Sequence, residues 1–208
     1  AHGLAALDFV WVTDYPRVDT LRDAGAQMAI TGEYTHLIYL DADMIWPSDV
    51  LTRLLAHHAA GVVGSFYVLK SPPYAPVALT AGFRLAGSAV DQFYYDWQYR
   101  EAAEGTLREV AVVGMGCTLV PVAVFTAIGP RPWFTYQLDD QGWPRITEDV
   151  AFCGKARAAG VRIWWDPSIR CGHVTAQIID ERWAHRYRAS MDETERRAHV
   201  TLVDHRVA

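Results

Sequence analysis

His36-Leu37-Ile38-Tyr39-Leu40 runs directly into Asp41-Ala42-Asp43. A short apolar run rich in strand-forming residues predicts a buried strand, and the two carboxylates fall where it leaves the sheet. Carboxylates are costly at the end of a buried strand unless something pairs with them. In open α/β sheets, ligands bind outside the carboxyl ends of the strands. Two hard oxygen donors at that edge suit Mg²⁺ or Mn²⁺, which in turn holds a diphosphate. The plainer reading is a pair of loop aspartates capping the next helix. Asp-x-Asp alone does not choose between the two.

The 208 residues, 51% of them apolar, are enough for one well-buried domain and too apolar for a disordered chain. A formal net charge of -5 gives no strong nucleic-acid footprint. No apolar run reaches membrane-spanning length, and the N-terminus lacks the basic start and apolar core of a signal peptide. Cys117, Cys153 and Cys171 are odd in number and widely spaced. They match neither a disulfide framework nor a zinc site, and reduced thiols in the cytoplasm are the expectation. The chain begins at Ala1 rather than Met, so a fragment or a trimmed N-terminus stays open.

Ala6 to Thr13 reads as a strand, broken by Asp14-Tyr15-Pro16. Val18 to Thr31 has Leu21, Ala24, Met28 and Ala29 at helical spacing. Leu37 to Leu40 is a strand, and Pro47 to His58 a helix with Leu51, Leu54 and Leu55 facing inward. Gly61 to Val68 is the next strand. This alternation predicts an α/β fold with a mostly parallel central sheet flanked by helices. The proline-rich Ser71 to Pro76 is a loop, and short strands follow at Val77 to Arg84, Gln92 to Tyr99 and Leu107 to Val113, a small antiparallel segment. Val120 to Ile128 reads as a helix, Gly129 to Thr147 as a long aromatic loop, Glu148 to Ala159 as a helix, and Arg162 to Trp165 as a strand. Residues 1–174 form one domain on this reading, and 175–208 a helical tail packed on it.

Two further clusters carry chemistry. Thr147-Glu148-Asp149 opens a helix, where acidic residues usually serve as caps. A rigidly mounted carboxylate at the mouth of a cleft also makes a general base. Cys171-Gly172-His173 follows the last strand, and its imidazole is an acceptable Mn²⁺ ligand beside carboxylates.

The order of these motifs resembles the GT-A glycosyltransferases, and within them the family 2-type bacterial and phage enzymes. The matching text is YLDADMIWPSDVLTRLLAH (39–57), VVGSFYVLKSPPYAP (62–76), VVGMGCTLVPVAVF (112–125) and ITEDVAFCGKARAAGVRIWWDPSIRCGHV (146–174). The resemblance implies a GT-A, Rossmann-like fold and roles for single residues. Asp43 binds the metal, and Asp41 contacts the donor ribose or the metal through water. His173 completes the metal site. Asp149 deprotonates the acceptor, and Glu148 contacts the acceptor or orients Asp149. Gly114 and Gly116 lie under the donor sugar, and Arg22 approaches the nucleotide. Two departures stand beside it. The family's opening strand, a Val/Ile run into Pro, is absent before Ala6, so either a preceding segment or Ala6 to Thr13 takes that duty. The Gln-x-x-Arg-Trp motif of processive synthases is reduced to Arg182-Trp183 in the tail.

The expectation is a metal-dependent transferase moving a sugar from a nucleoside diphosphate sugar, a UDP-sugar first, to an unidentified hydroxyl acceptor. The cofactor is Mn²⁺ or Mg²⁺. Inversion rests on the Glu-Asp match; a retaining enzyme, a nucleotidyltransferase and a non-catalytic nucleotide-sugar-binding module are the alternatives. Trp133, Phe134, Tyr136 and Trp143 in the long loop, with Tyr94, Tyr95 and Trp97 earlier, divide between core packing and an acceptor platform or lid.

Overall fold

The computed structural model describes residues 6–13, 17–81, 90–96, 105–175, 178–190 and 200–204. The Asp14-Tyr15-Pro16 break, Trp97, and the expected strand ends at 82–84 and 97–99 lie outside them.

The elements run α1 (Val18–Thr31), β1 (His36–Leu40), β2 (Met44–Ile45), α2 (Val50–Leu55), β3 (Val62–Phe66), β4 (Ala78–Ala81) and β5 (Val90–Tyr95). There follow β6 (Arg108–Val110), β7 (Val112–Val113), β8 (Cys117–Pro121), α3 (Ala123–Ile128), β9 (Gln137–Leu138) and β10 (Pro144–Ile146). The chain continues as α4 (Glu148–Ala158), β11 (Ile163–Arg170), β12 (Gly172–Val174), β13 (Ile178–Ile179), α5 (Glu181–Ser190) and β14 (Val200–Asp204).

This is a mixed α/β fold, and the expectation of a mostly parallel sheet is corrected. The central sheet has the order β1-β8-β3-β11-β6. Only β3 and β11 pair in parallel; the other three pairings are antiparallel. The cause is β8, whose last two residues the sequence reading gives to a helix from Val120 and whose first three it assigns to no element. Its Cys117, Thr118, Leu119 and Val120 are all buried, and it inserts between β1 and β3, antiparallel to both. β1, β3 and β11 therefore still point the same way, and their carboxyl ends share one edge. The amino end of β8 returns to that edge, with Cys117 opposite Leu40.

Helices cover both faces of this sheet. On β3, Val62 and Phe66 join a core with Phe125 of α3 and Phe152 and Ala156 of α4. Val63 faces the other way, onto Val50 and Leu54 of α2. Coverage on both faces explains why every residue of β3 is buried. A second, antiparallel sheet has the order β14-β5-β4-β7. The tail is thus not purely helical: α5 packs by Trp183 and Tyr187 around Tyr74, and β14 pairs with β5.

Two more expectations change. Residues 6–13 form no strand, and Leu7, Phe9, Val10 and Trp11 are exposed. In α1 the buried face carries Asp19, Arg22, Asp23 and Ala26, whereas Met28 is exposed. A helix that turns three charges inward needs partners for them, and one of these charges, Arg22, leads to the site.

Candidate functional site

Asp41 and Asp43 occupy a turn between β1 and β2, closed by the Met44 N–H donating to the Asp41 carbonyl at 3.1 Å. The turn sends the two carboxylates to different partners. Asp41 faces α1, where Arg22 Nη2 donates to Oδ2 at 3.1 Å. The Arg22 Nη1 hydrogen-bonds Glu148 Oε1, at the first residue of α4. Arg22 and Glu148 are each 5% exposed. One buried guanidinium thus ties α1, the end of β1 and the start of α4 together. Its Nε has no hydrogen-bond partner among the described residues.

Burial alone would lower the Arg22 pKa, but Asp41, Glu148 and Asp149 outweigh it, and the net shift is upward. Glu148 is pushed above its ordinary value by burial first and by Asp149 second; Arg22 and the Tyr136 hydroxyl pull against this. The folded state therefore holds the Glu148 proton more tightly than the unfolded chain. Its contribution to stability is full below the ordinary glutamate range and is lost as pH rises through the folded value. Glutamine mimics the protonated acid. Denaturant unfolding of wild type and Glu148→Gln should give similar stabilities near pH 4, with wild type falling behind as pH rises toward 7. Parallel curves across that range would show that Glu148 is not so shifted.

Asp149, the next residue, is half-buried. Its Oδ1 accepts from the Val150 N–H at 2.9 Å and from the Thr147 hydroxyl, which fixes the rotamer. Its other oxygen has no partner among the bonds of the described residues. Asp149 also lies close enough to Tyr67 to add to the effect of burial, which pushes that phenol well above its ordinary value.

Tyr67 explains Gly114 and Gly116. The Gly116 N–H donates to its hydroxyl at 3.1 Å. A Cβ at Gly114 would stand 2.0 Å from the phenol oxygen, and one at Gly116 3.0 Å from Cζ. The space left by the two absent side chains is filled by this ring, which the sequence reading did not single out. The carbonyl of Gly116 accepts from the Asp41 N–H at 2.9 Å, so the glycine turn also braces the Asp-x-Asp turn.

Asp43 points the other way. β12 pairs with β2 in the register His173↔Met44, and the Val174 N–H donates to the Asp43 carbonyl at 2.7 Å. His173 Nδ1 lies 2.8 Å from the Val68 carbonyl. A carbonyl only accepts, so Nδ1 carries a proton and the neutral ring keeps its lone pair on Nε2. That Nε2 stands 3.8 Å from Asp43 Oδ1, too far for a hydrogen bond. Two ligands bonded to one cation at about 2.1 Å stand between roughly 3.0 Å, at a right angle, and about 4.2 Å, when opposed. At 3.8 Å the pair subtends about 130° at such a cation, between the two octahedral angles, so one side chain must shift by about half an ångström for both to ligate. The histidine already has the backbone acceptor that metal-bound histidines use. Among the described residues no three His, Cys, Asp or Glu side chains converge to hold a metal by themselves. Mg²⁺-type sites commonly use one or two protein ligands and complete the shell with phosphate and water. Lys70, given no role in the sequence reading, donates from Nζ to Asp43 Oδ2.

The long loop divides. Trp133, expected at the acceptor or in a lid, is 5% exposed; its indole N–H reaches the carbonyls of Phe125 at 3.1 Å and Gly129 at 2.8 Å. The Trp133 and Phe134 N–H groups both donate to Asp23 Oδ1 at 3.0 Å, and Phe134 stacks on Phe152. These residues are core. Tyr136 is half-buried, hydrogen-bonds Glu148 and lies under the Arg17 guanidinium at 5.4 Å. Trp143, 69% exposed, sits beside the start of β10 in the β9–β10 hairpin.

Asp41, Asp43, Lys70, His173, Gly114 and Gly116 therefore come from the carboxyl ends of β1, β3 and β11 and the amino end of β8. Arg22, Glu148 and Asp149 close the edge from two helices. No protein-family model matches this sequence, and neither does any curated protein. Among solved structures, the chain is similar to A197 from STIV, with a TM-score of 0.50 and 18% identity over 80% of this chain and 76% of that one. At that identity the likeness extends to the fold. Among the described residues no helix is long and apolar enough to cross a membrane.

Proposed function

We propose that the chain is a metal-dependent glycosyltransferase that moves a sugar from a nucleoside diphosphate sugar, with UDP as the first base to test, to an acceptor hydroxyl. The observation that carries this reading is the placement at one sheet edge of Asp43 Oδ1 3.8 Å from Nε2 of a His173 ring whose Nδ1 is held by the Val68 carbonyl. A carboxylate and a neutral imidazole suit Mn²⁺ or Mg²⁺, with the remaining positions left to a diphosphate.

Asp43 and His173 would hold the cation, which when bound supplies a Lewis acid for the departing diphosphate. Asp41, fixed by Arg22, faces the donor. Asp149 takes the proton of the acceptor hydroxyl through its unpartnered oxygen as the acceptor oxygen bonds to the anomeric carbon. The bond from that carbon to the diphosphate oxygen breaks, and its electron pair leaves with the nucleotide. Attack opposite the leaving group inverts the anomeric centre. Glu148 positions Asp149 and Arg22 through the shared buried cluster. Trp143 on its hairpin offers an exposed aromatic face for an acceptor sugar. The three buried free thiols suit a reducing compartment, and the reading places the protein in the cytoplasm.

Product analysis tests the class of reaction. Incubated with Mn²⁺ and a panel of nucleotide sugars, the protein should release nucleoside diphosphate and free or transferred sugar. Release of pyrophosphate from a nucleoside triphosphate and a sugar phosphate, with no hydrolysis or transfer from nucleotide sugars, would instead establish a nucleotidyltransferase. Asp43→Ala should abolish release, because no second carboxylate lies beside His173 Nε2 among the described residues.

A further inference from the structure

Lys70 lies four residues beyond the end of β3, at the same sheet edge as Asp43. Its ammonium hydrogen-bonds Asp43 Oδ2, while Oδ1 of the same carboxylate faces His173 Nε2. A divalent cation on Asp43 and an ammonium on Asp43 are like charges competing for one anion. The two side chains are 38% and 48% exposed, and so open an ion pair is weak enough for a divalent cation to displace. The backbone beneath Lys70 is held. The Leu69 N–H donates to the Ala75 carbonyl at 2.9 Å, and Val68 bridges Pro76. The Tyr74 ring packs 3.8 Å from that of Trp183 and 4.6 Å from that of Tyr187. Only the flexible lysine stem is left to move, and Lys suits phosphate as a compact point charge.

We propose that Lys70 is a diphosphate-binding residue held in reserve: it neutralises Asp43 in the empty site and turns to the donor diphosphate when a divalent cation takes that carboxylate. The proposal rests on the donor-site reading above and adds to it an order of events. The cation must displace Lys70 before the ammonium can meet the nucleotide. Lys70 therefore weakens cation binding in the absence of nucleotide and strengthens nucleotide binding in its presence.

The test follows Mn²⁺ by electron paramagnetic resonance and nucleotides by calorimetry, in wild type, Lys70→Met and Asp43→Ala. Lys70→Met should bind Mn²⁺ alone up to about fivefold more tightly. With Mn²⁺ saturating, it should bind UDP or GDP at least about tenfold more weakly, the cost of one charge-assisted hydrogen bond. UMP and GMP should change much less, because the lost contact is to the second phosphate. Unchanged Mn²⁺ and UDP affinities in Lys70→Met, with both lost in Asp43→Ala, would overturn the role of Lys70 and leave the donor site standing. No binding of Mn²⁺ or either diphosphate by any of the three proteins would overturn the donor site itself, and the role of Lys70 with it.

Discussion

Arg22→Met is expected to lower unfolding stability by about 3–5 kcal/mol, as found when one partner of a buried ion pair is removed. Arg22 meets Glu148 and Asp41 at once, and Glu148 is as deeply buried as Arg22 itself. Without the guanidinium, Glu148 would sit buried beside Asp149 with the Tyr136 hydroxyl and a backbone hydrogen bond to offset it. A single domain is stable by only about 5–15 kcal/mol, so the loss is large on that scale. Glu148→Gln in the same chain should recover part of it, because the stranded charge is then gone. Urea unfolding of the two single variants and the double variant gives the coupling directly. A loss below about 1 kcal/mol for Arg22→Met would show that the bridge between α1, β1 and α4 contributes little.

Asp149→Asn should reduce turnover by about 10²–10⁴-fold, the usual contribution of a positioned general base. The amide keeps the shape of the carboxylate and an oxygen to accept from Val150 and Thr147. It cannot take a proton from an acceptor. Mn²⁺-dependent nucleotide binding should change little, because Asp43 and His173 are untouched. The pattern to look for is a fall in kcat with the donor Kd preserved. Turnover within a few-fold of wild type would remove Asp149 from the base role, and with it the case for inversion.

The helices were legible in the sequence to different degrees. Val18–Thr31 and Glu148–Ala158 stand within a residue of their expected bounds, because each is a long stretch of helix-compatible residues with a clear stop at Gly32 or Gly160. Sheet order was not legible. Nothing local to Cys117-Thr118-Leu119-Val120 says that it lies between β1 and β3; that pairing joins residues about eighty and fifty positions apart. Residues 6–13 carry the continuous β-branched and aromatic run Phe9-Val10-Trp11-Val12, as strands do, but form no strand among the described residues, so the propensity goes unused.

The same division holds for the site. Asp41, Asp43, Glu148, Asp149 and His173 stood out because charged or ligating groups follow strands or open a helix, and the structure gathers them with Arg22 at one edge. Trp133 was misplaced because aromatic content in a loop does not reveal which side the ring turns to; Asp23 turns this one inward. Tyr67 and Lys70 were missed, although Tyr67 is the first residue and Lys70 the fourth after the buried strand β3, at the edge where Asp43 stands. A polar residue just past the end of each same-facing strand was the signal that would have found them.

Calorimetric titration with UDP and GDP, each with and without Mn²⁺, tests the central claim most directly. Binding of one diphosphate that requires Mn²⁺ and disappears in Asp43→Ala and His173→Ala is the predicted result. Nucleotide binding that is indifferent to Mn²⁺ and survives both substitutions would contradict the assignment of Asp43 and His173 as the cation-holding pair.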